Sequence, residues 1–282
     1  MVIGKIVLEE VPPLALVLIR VSLGGLALLV GRRFVRSVPV SGRKDLLKLA
    51  LLAMLGVVVN QTFFFLGLAR TSPTHATLIQ QTISPMTLAL SLALGRERFS
   101  KGRVAGIGIA FAGAVTLVAR GGIDFSSSEF VGDAFVLLNA ASYAVFLVLS
   151  PGTMVRLGSV TVSAYMFAIA TFVLLPISLP SLLAADLAAV SGRAWAGIAF
   201  IVVFPTVIAY LLNAWALARA APSLVSAYIF LQPFIAIGLD MALRGTRLTL
   251  ETVVPGALIL AGVAIAAIAS KRTGQRRRPD TA

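Results

Sequence analysis

One stretch of this chain is written twice, and the repetition restricts the fold more than any other feature. Gly67 to Arg98 reads GLARTSPTHATLIQQTISPMTLALSLALGRER, and Ala216 to Arg247 reads ALARAAPSLVSAYIFLQPFIAIGLDMALRGTR. At a fixed offset of 149 residues the matches include Leu68/Leu217, Arg70/Arg219, Pro73/Pro222, Arg98/Arg247 and Gly113/Gly262. Each copy opens after a proline, carries an internal proline (Pro85, Pro233) and closes on an arginine. The internal prolines lie 148 apart, one residue out of register. The chain therefore reads as two pseudo-equivalent halves of one bundle.

The solvent of that bundle follows from composition. Apolar residues make up 59% of the chain, charged residues 12%, and the mean hydropathy is +0.98. Hydrocarbon admits only structures that satisfy their own backbone hydrogen bonds, and long apolar runs suit helices rather than alternating barrel strands. The expected class is an all-α polytopic membrane protein. With no cysteine and the single histidine His75, thiolate chemistry, haem and zinc sites are implausible, so no metal or cofactor is expected. The formal charge of +13 is explained by loop topology, not by nucleic acid.

Apolar runs place nine full spans, at about 13–30, 49–68, 73–94, 104–119, 134–150, 160–180, 195–217, 223–243 and 253–270. Residues 1–120 form the first repeat, 121–133 an acidic external loop, 134–270 the second repeat and 271–282 a basic tail. Subtracting 149 from the opening span of the second half maps it upstream of Met1. A first helix missing from the chain as given is therefore expected, with a true nine-span protein as the alternative. Seventeen Lys and Arg lie on the face of the first basic loop and the tail, against six opposite. The positive-inside rule makes the tail cytoplasmic, in a multi-pass protein of the inner or plasma membrane. Five spans per unit is an odd number, so the units enter with opposite orientation, as in many secondary transporters.

These residues carry a resemblance. The two stretches quoted above, each followed by a Gly-rich helix (ending AGAV in the first copy, PGALILAGVAI in the second), resemble the EamA family of the drug/metabolite transporter superfamily. The resemblance implies ten helices in two five-helix halves, cytoplasmic termini, and export or exchange of small metabolites. One departure bears on mechanism: Thr246 stands where Glu97 stands in the first copy. The edge contact of Glu97 is thus not expected in the second half.

Polar groups in mid-span are expensive and mark candidate sites. Arg20 lies near the middle of its span and suits an anionic or zwitterionic substrate; a structural arginine bonded to carbonyls at a broken helix competes. Gln80, Gln81 and Ser84 precede Pro85, while Tyr228 and Gln232 precede Pro233. Each proline removes a backbone donor, which gathers polar groups near mid-membrane for substrate binding, or for helix–helix adhesion. Asn60, Gln61, Asn139, Tyr143, Tyr210, Asn213 and Trp215 form a second tier, Trp215 equally suited to the membrane interface. Asp240 and His75 are the candidates for proton coupling. Asp240 has Arg244 as an i,i+4 partner that competes with that role, and His75 is expected at an accessible outer helix end.

The reading is a secondary carrier of a small, amino acid-like or other organic solute, working by alternating access. Its partners are the small-molecule substrate and the lipid bilayer, and a homodimer stays open. The alternatives are a membrane-embedded enzyme or a channel. Ser72 with His75 is the nearest nucleophile–histidine pair and lacks an evident acid. No Walker motif and no filter-like loop is recognised.

Overall fold

The computed structural model describes residues 2–35, 38–119, 130–233 and 250–275, in which the regular structure is helical and no strand occurs. In chain order the helices are α1 (Val2–Leu8), α2 (Pro13–Arg32), α3 (Arg43–Arg70), α4 (Pro73–Gln80), α5 (Ile83–Ala93) and α6 (Lys101–Ala119). Then come α7 (Phe130–Leu149), α8 (Pro151–Leu157), α9 (Ser159–Leu183), α10 (Gly192–Leu217), α11 (Pro222–Ser226) and α12 (Leu250–Gln275). Six helical stretches among the described residues are long and apolar enough to cross a membrane: α2, α3, α7, α9, α10 and Val253–Ser270 of α12. Of the other three spans expected, 73–94 is broken into α4 and α5, 104–119 lies within α6, and 223–243 runs past the described residues. Asp240, Arg244, Thr246 and Arg247, most of the loop 121–133 and the end of the tail also lie outside them.

The repeat reappears in helix boundaries. Shifting α1 by 149 residues reproduces the bounds of α8, and shifting the start of α3 reproduces the start of α10. Both long helices widen to π geometry at matching places, Met54–Val59 in α3 and Val202–Ile208 in α10. Pro205 explains the second: without an N–H it cannot bond the carbonyl of Ile201 four residues back, and the ladder slips to a wider turn.

Helix packing divides the chain into two compact units that are not the sequence halves. One comprises Met1–Ala76 with Ser126–Arg219, the other Thr77–Phe125 with Ala220–Ala282. Each draws on both repeats. In the first unit, glycines let helices approach: a Cβ on Gly25 would lie 3.3 Å from Cβ of Phe167, and one on Gly67 would lie 2.8 Å from the carbonyl of Gly132. In lipid this close contact replaces the hydrophobic drive that water supplies. The cation of Lys5 donates to the carbonyls of Leu68 (2.8 Å), Ala69 (3.3 Å) and Thr71 (3.0 Å), closing the negative end of α3. Glu10 accepts from both the amide and the hydroxyl of Ser191 (2.7 Å each), the residue that caps the start of α10.

In the second unit α6 and α12 cross antiparallel on small residues. A Cβ on Gly262 would come within 2.5 Å of the Ala110 amide nitrogen, one on Gly106 within 2.7 Å of the Gly262 carbonyl, and one on Gly113 within 2.9 Å of the Pro255 carbonyl. The Gly106–Gly262 and Gly113–Pro255 approaches are copies of each other under the 149-residue shift. A core of Leu88, Ile107, Ala110, Phe230 and Ile259 surrounds this crossing. The edge that follows α5 is a Schellman turn. Gly95 adopts φ +62°, its amide donates to Leu92 (3.1 Å), and that of Arg96 to Ser91 (2.8 Å). This reversal sends Glu97 to the start of α11, where it accepts from the Ser223 amide (3.0 Å) and hydroxyl (2.6 Å). Glu97 also pairs with Arg103, whose guanidinium reaches Ser270 at 3.3 Å.

Candidate functional site

In the first unit the polar residues of α2, α3, α7 and α10 converge. Arg20 of α2 is 5% exposed. Its Nε and Nη2 donate to the Thr206 hydroxyl at 3.1 and 2.7 Å, and its guanidinium lies 5.2 Å from the centre of the Phe65 ring. Thr206 in turn donates to the carbonyl of Ile201 (2.7 Å), the group whose usual partner Pro205 lacks. Its single proton being spent there, the hydroxyl meets Arg20 purely as an acceptor. No carboxylate among the described residues pairs with Arg20, and its Nη1 donates to none of them. The site is a buried cation without a counter-ion among the described residues. Of the two expectations for Arg20, the contact with a broken helix is present but indirect, through Thr206.

Beside it, Gln61 donates to Tyr210 Oη (2.5 Å) and to Asn60 Oδ1 (3.0 Å), while Tyr210 donates to the Gly56 carbonyl (2.7 Å). Asn139 reaches the Asn60 carbonyl and Ser142 the Leu55 carbonyl, both at 2.7 Å. The π turn of α3 thus presents carbonyls that side chains of α7 and α10 collect. Gln61 and Tyr210 are 149 residues apart. They are counterparts in the two repeats, bonded to each other. Tyr210 also sets its ring edge-on to Phe167, 4.8 Å between centres, and Tyr143 stacks on Phe146 at 5.7 Å. Asn213 is buried, and its Oδ1 lacks a partner among the described residues. Trp215 is exposed on α10 with Arg219 over its ring at 4.4 Å, as an interfacial residue would be.

The residues around the internal prolines belong to the second unit. The break falls at Gln81–Thr82, not at Pro85, which lies in the first turn of α5 where no backbone N–H is needed. Gln81 is fully buried; its Nε2 returns to the Thr77 carbonyl (2.9 Å), and its Oε1 has no partner among the described residues. Ser84 bonds Ser226 at 3.1 Å. The second copy is interrupted at the matching place by a 3₁₀ turn, Ala227–Phe230, which leaves Tyr228 and Gln232 exposed and Pro233 buried. Gln80 is partly buried.

His75 departs from expectation. It is 4% exposed, and its Nδ1 lies 3.0 Å from Asp133 Oδ2, while Thr71 bonds the other carboxylate oxygen. The acid comes from the first turn of α7, 58 residues away in sequence, which no local pattern signals. Ser72 accepts the His75 backbone N–H at 3.1 Å, which makes it a cap of the helix start. Sequence reasoning passed over Thr206 and Phe65 as partners of Arg20. The available signal was Pro205, since a proline in a long apolar run marks where polar groups gather.

Comparison with known proteins accords with this architecture. The EamA-like transporter family model matches residues 1–119 and 130–268. An uncharacterized transporter of Archaeoglobus fulgidus is 29% identical over 92% of this chain and 89% of its own length. A Bacillus subtilis relative, Uncharacterized transporter YyaM, is 24% identical over 78% of this chain and 73% of its own. One solved crystal structure shares the fold, with a TM-score of 0.77 at 20% identity, covering 96% of this chain and 92% of that one.

Proposed function

We propose a function from one premise: the chain belongs to the EamA-like transporter family. It is a multi-pass membrane protein, and its relatives are named transporters. On our reading it is a secondary carrier built from two inverted five-helix repeats of a ten-helix plan, which moves a small anionic or zwitterionic solute by alternating access. The inversion is supported by the antiparallel crossing of α6 on its counterpart α12 and by the Gln61–Tyr210 bond between counterpart residues. Within each unit, a contact between counterparts is what an inverted pair of repeats requires, and exchanging the conformations of such repeats is the basis of alternating access.

The observation that carries the substrate class is Arg20. A charge at the centre of a span costs about 2.5–3.5 kcal/mol on the insertion scale, and none of the described carboxylates offsets it. A carboxylate-bearing solute supplies the missing charge to Nη1, with Asn60, Gln61, Tyr143, Tyr210 and Asn213 as its polar surroundings. Gln80, Gln81, Ser84, Tyr228 and Gln232 are the corresponding candidates in the second unit. The distribution of Lys and Arg supports a cytoplasmic tail in the inner or plasma membrane. Within the first unit, Lys5–Thr71, Glu10–Ser191 and His75–Asp133 join groups of the less basic face, and Asp45–Arg156 joins two of the basic one. The titratable groups available for proton coupling are the His75–Asp133 pair and Asp240. Transport that keeps its pH dependence in each of His75→Gln, Asp133→Asn and Asp240→Asn excludes them.

The test is uptake and efflux of a labelled mixture of amino acids and other small metabolites in vesicles reconstituted with this chain. Transport of at least one carboxylate-bearing solute, lost in Arg20→Met with normal membrane insertion, is the expected result. Unchanged transport of that solute by Arg20→Met removes Arg20 from the site.

A further inference from the structure

Away from the polar cluster, the first unit has an open groove of about 410 Å³ between the start of α3 and the end of α7. Its lining combines two kinds of residue: Lys44 and Lys48, one helical turn apart, and Leu47, Leu51, Leu52 and Leu149. Lys44 and Lys48 are exposed and engage no other described residue. Leu47 and Leu51 are 59% and 49% exposed beside them. The one acid on this turn is already neutralised. Asp45 is buried, and its carboxylate is held by both terminal nitrogens of Arg156, one of them at 3.0 Å. Arg43, also exposed, adds positive charge at the same helix end. The groove therefore offers cations on its rim and hydrocarbon on its floor, with the local carboxylate removed from play.

We infer that this groove is a binding site for one anionic phospholipid, its phosphate between Lys44 and Lys48 and an acyl chain along the leucines. The leucine floor decides between a lipid and a free phosphate, since a small hydrated anion gains nothing from four apolar side chains. Zwitterionic lipids carry a choline or ethanolamine cation that the two lysines repel, which makes the site selective by headgroup charge. Each lysine near an anionic headgroup contributes about 1 kcal/mol, so the pair favours an anionic over a zwitterionic lipid by roughly 30-fold. On the orientation proposed above, the bound lipid lies in the cytoplasmic leaflet. The site itself rests only on the chain's residing in a bilayer, and its failure leaves the transport reading untouched.

The experiment is native mass spectrometry of the purified full chain titrated with phosphatidylglycerol or phosphatidylcholine of matched acyl chains. One retained phosphatidylglycerol, preferred over phosphatidylcholine by an order of magnitude or more, is expected for the wild type. Lys44→Gln/Lys48→Gln should abolish the preference, Lys44→Arg/Lys48→Arg should keep it, and Leu51→Gln should weaken binding of both lipids without changing their ratio. Glycerophosphoglycerol, the headgroup without acyl chains, should not bind. Equal retention of the two lipids by the wild type overturns the proposal. So does an unchanged preference in Lys44→Gln/Lys48→Gln, and so does binding of the soluble headgroup as tightly as the lipid, which would make the groove a phosphate site. If the glutamine variant proves unstable, the Leu51→Gln and headgroup arms decide.

Discussion

Arg20 and its partner Thr206 make opposite contributions, and the order of their mutational effects tests the site. A mid-span arginine costs about 2.5–3.5 kcal/mol. Against this stand two hydrogen bonds to Thr206, worth about 0.6 kcal/mol each on average between transmembrane helices, and the Phe65 face, worth about 0.5–1 kcal/mol. The returns sum to about 2 kcal/mol on those averages, slightly less than the cost. Arg20→Met, which keeps the aliphatic bulk, is therefore expected to leave stability unchanged or raise it by about 1 kcal/mol while abolishing transport. Thr206→Val keeps the branched shape but strands the guanidinium and removes the bond to the Ile201 carbonyl. Three lost bonds at about 0.6–1.7 kcal/mol each predict a destabilisation of about 2–5 kcal/mol. Adding Arg20→Met to Thr206→Val should recover at least half of that loss, because the stranded charge is gone. Reversible denaturation in mixed micelles gives all four corners of the cycle. If Arg20→Met is the more damaging single change, Arg20 is a structural strut and the functional reading of its burial is wrong.

Three further outcomes follow from other contacts. Glu97→Ala leaves Arg103 buried without its partner and uncaps α11, for a loss of about 3–5 kcal/mol; adding Arg103→Leu should restore part of it in the same denaturation assay. Gly262→Leu cannot be absorbed at a crossing where even a Cβ meets the Ala110 backbone; a loss of at least about 1–3 kcal/mol is expected, whereas Gly108→Leu, which meets nothing within 4 Å, should be tolerated. Hydrogen bonds from the Ser191 amide and hydroxyl hold the Glu10 carboxyl below its ordinary range. A depressed carboxyl contributes stability above the unfolded-state value and loses it as pH falls through the folded one. Melting temperature should therefore drop on acidification below the usual glutamate range, and Glu10→Gln should flatten that drop; an identical pH profile for both proteins would remove the contact from the account.

Much of the architecture is legible in one dimension because it rests on local or periodic causes. Apolar run length locates the spans, since hydrocarbon thickness sets it. A fixed offset exposes the repeat, down to the matching bounds of α1 and α8. The internal prolines announce the interruptions, although these fall a few residues earlier, at Gln81–Thr82 before Pro85 and at Ala227–Phe230 before Pro233. Arg20 stands out because a charge in mid-span is costly wherever it points. What it touches is a different matter: Thr206 is 186 residues away, and Asp133 is 58 from His75. Such pairings depend on which helix faces which, and helices in a bilayer are apolar on most of their surface, so apolar periodicity does not reveal them. The same lack of pattern hides the division into two compact units that each take helices from both repeats. The sequence by itself determined the helical class, the bilayer as solvent and the 149-residue offset. Only the tertiary structure decided which apolar runs are unbroken helices and which side chains are partners, because close packing of backbones on small residues, not hydrophobic patterning, selects neighbours in a bilayer.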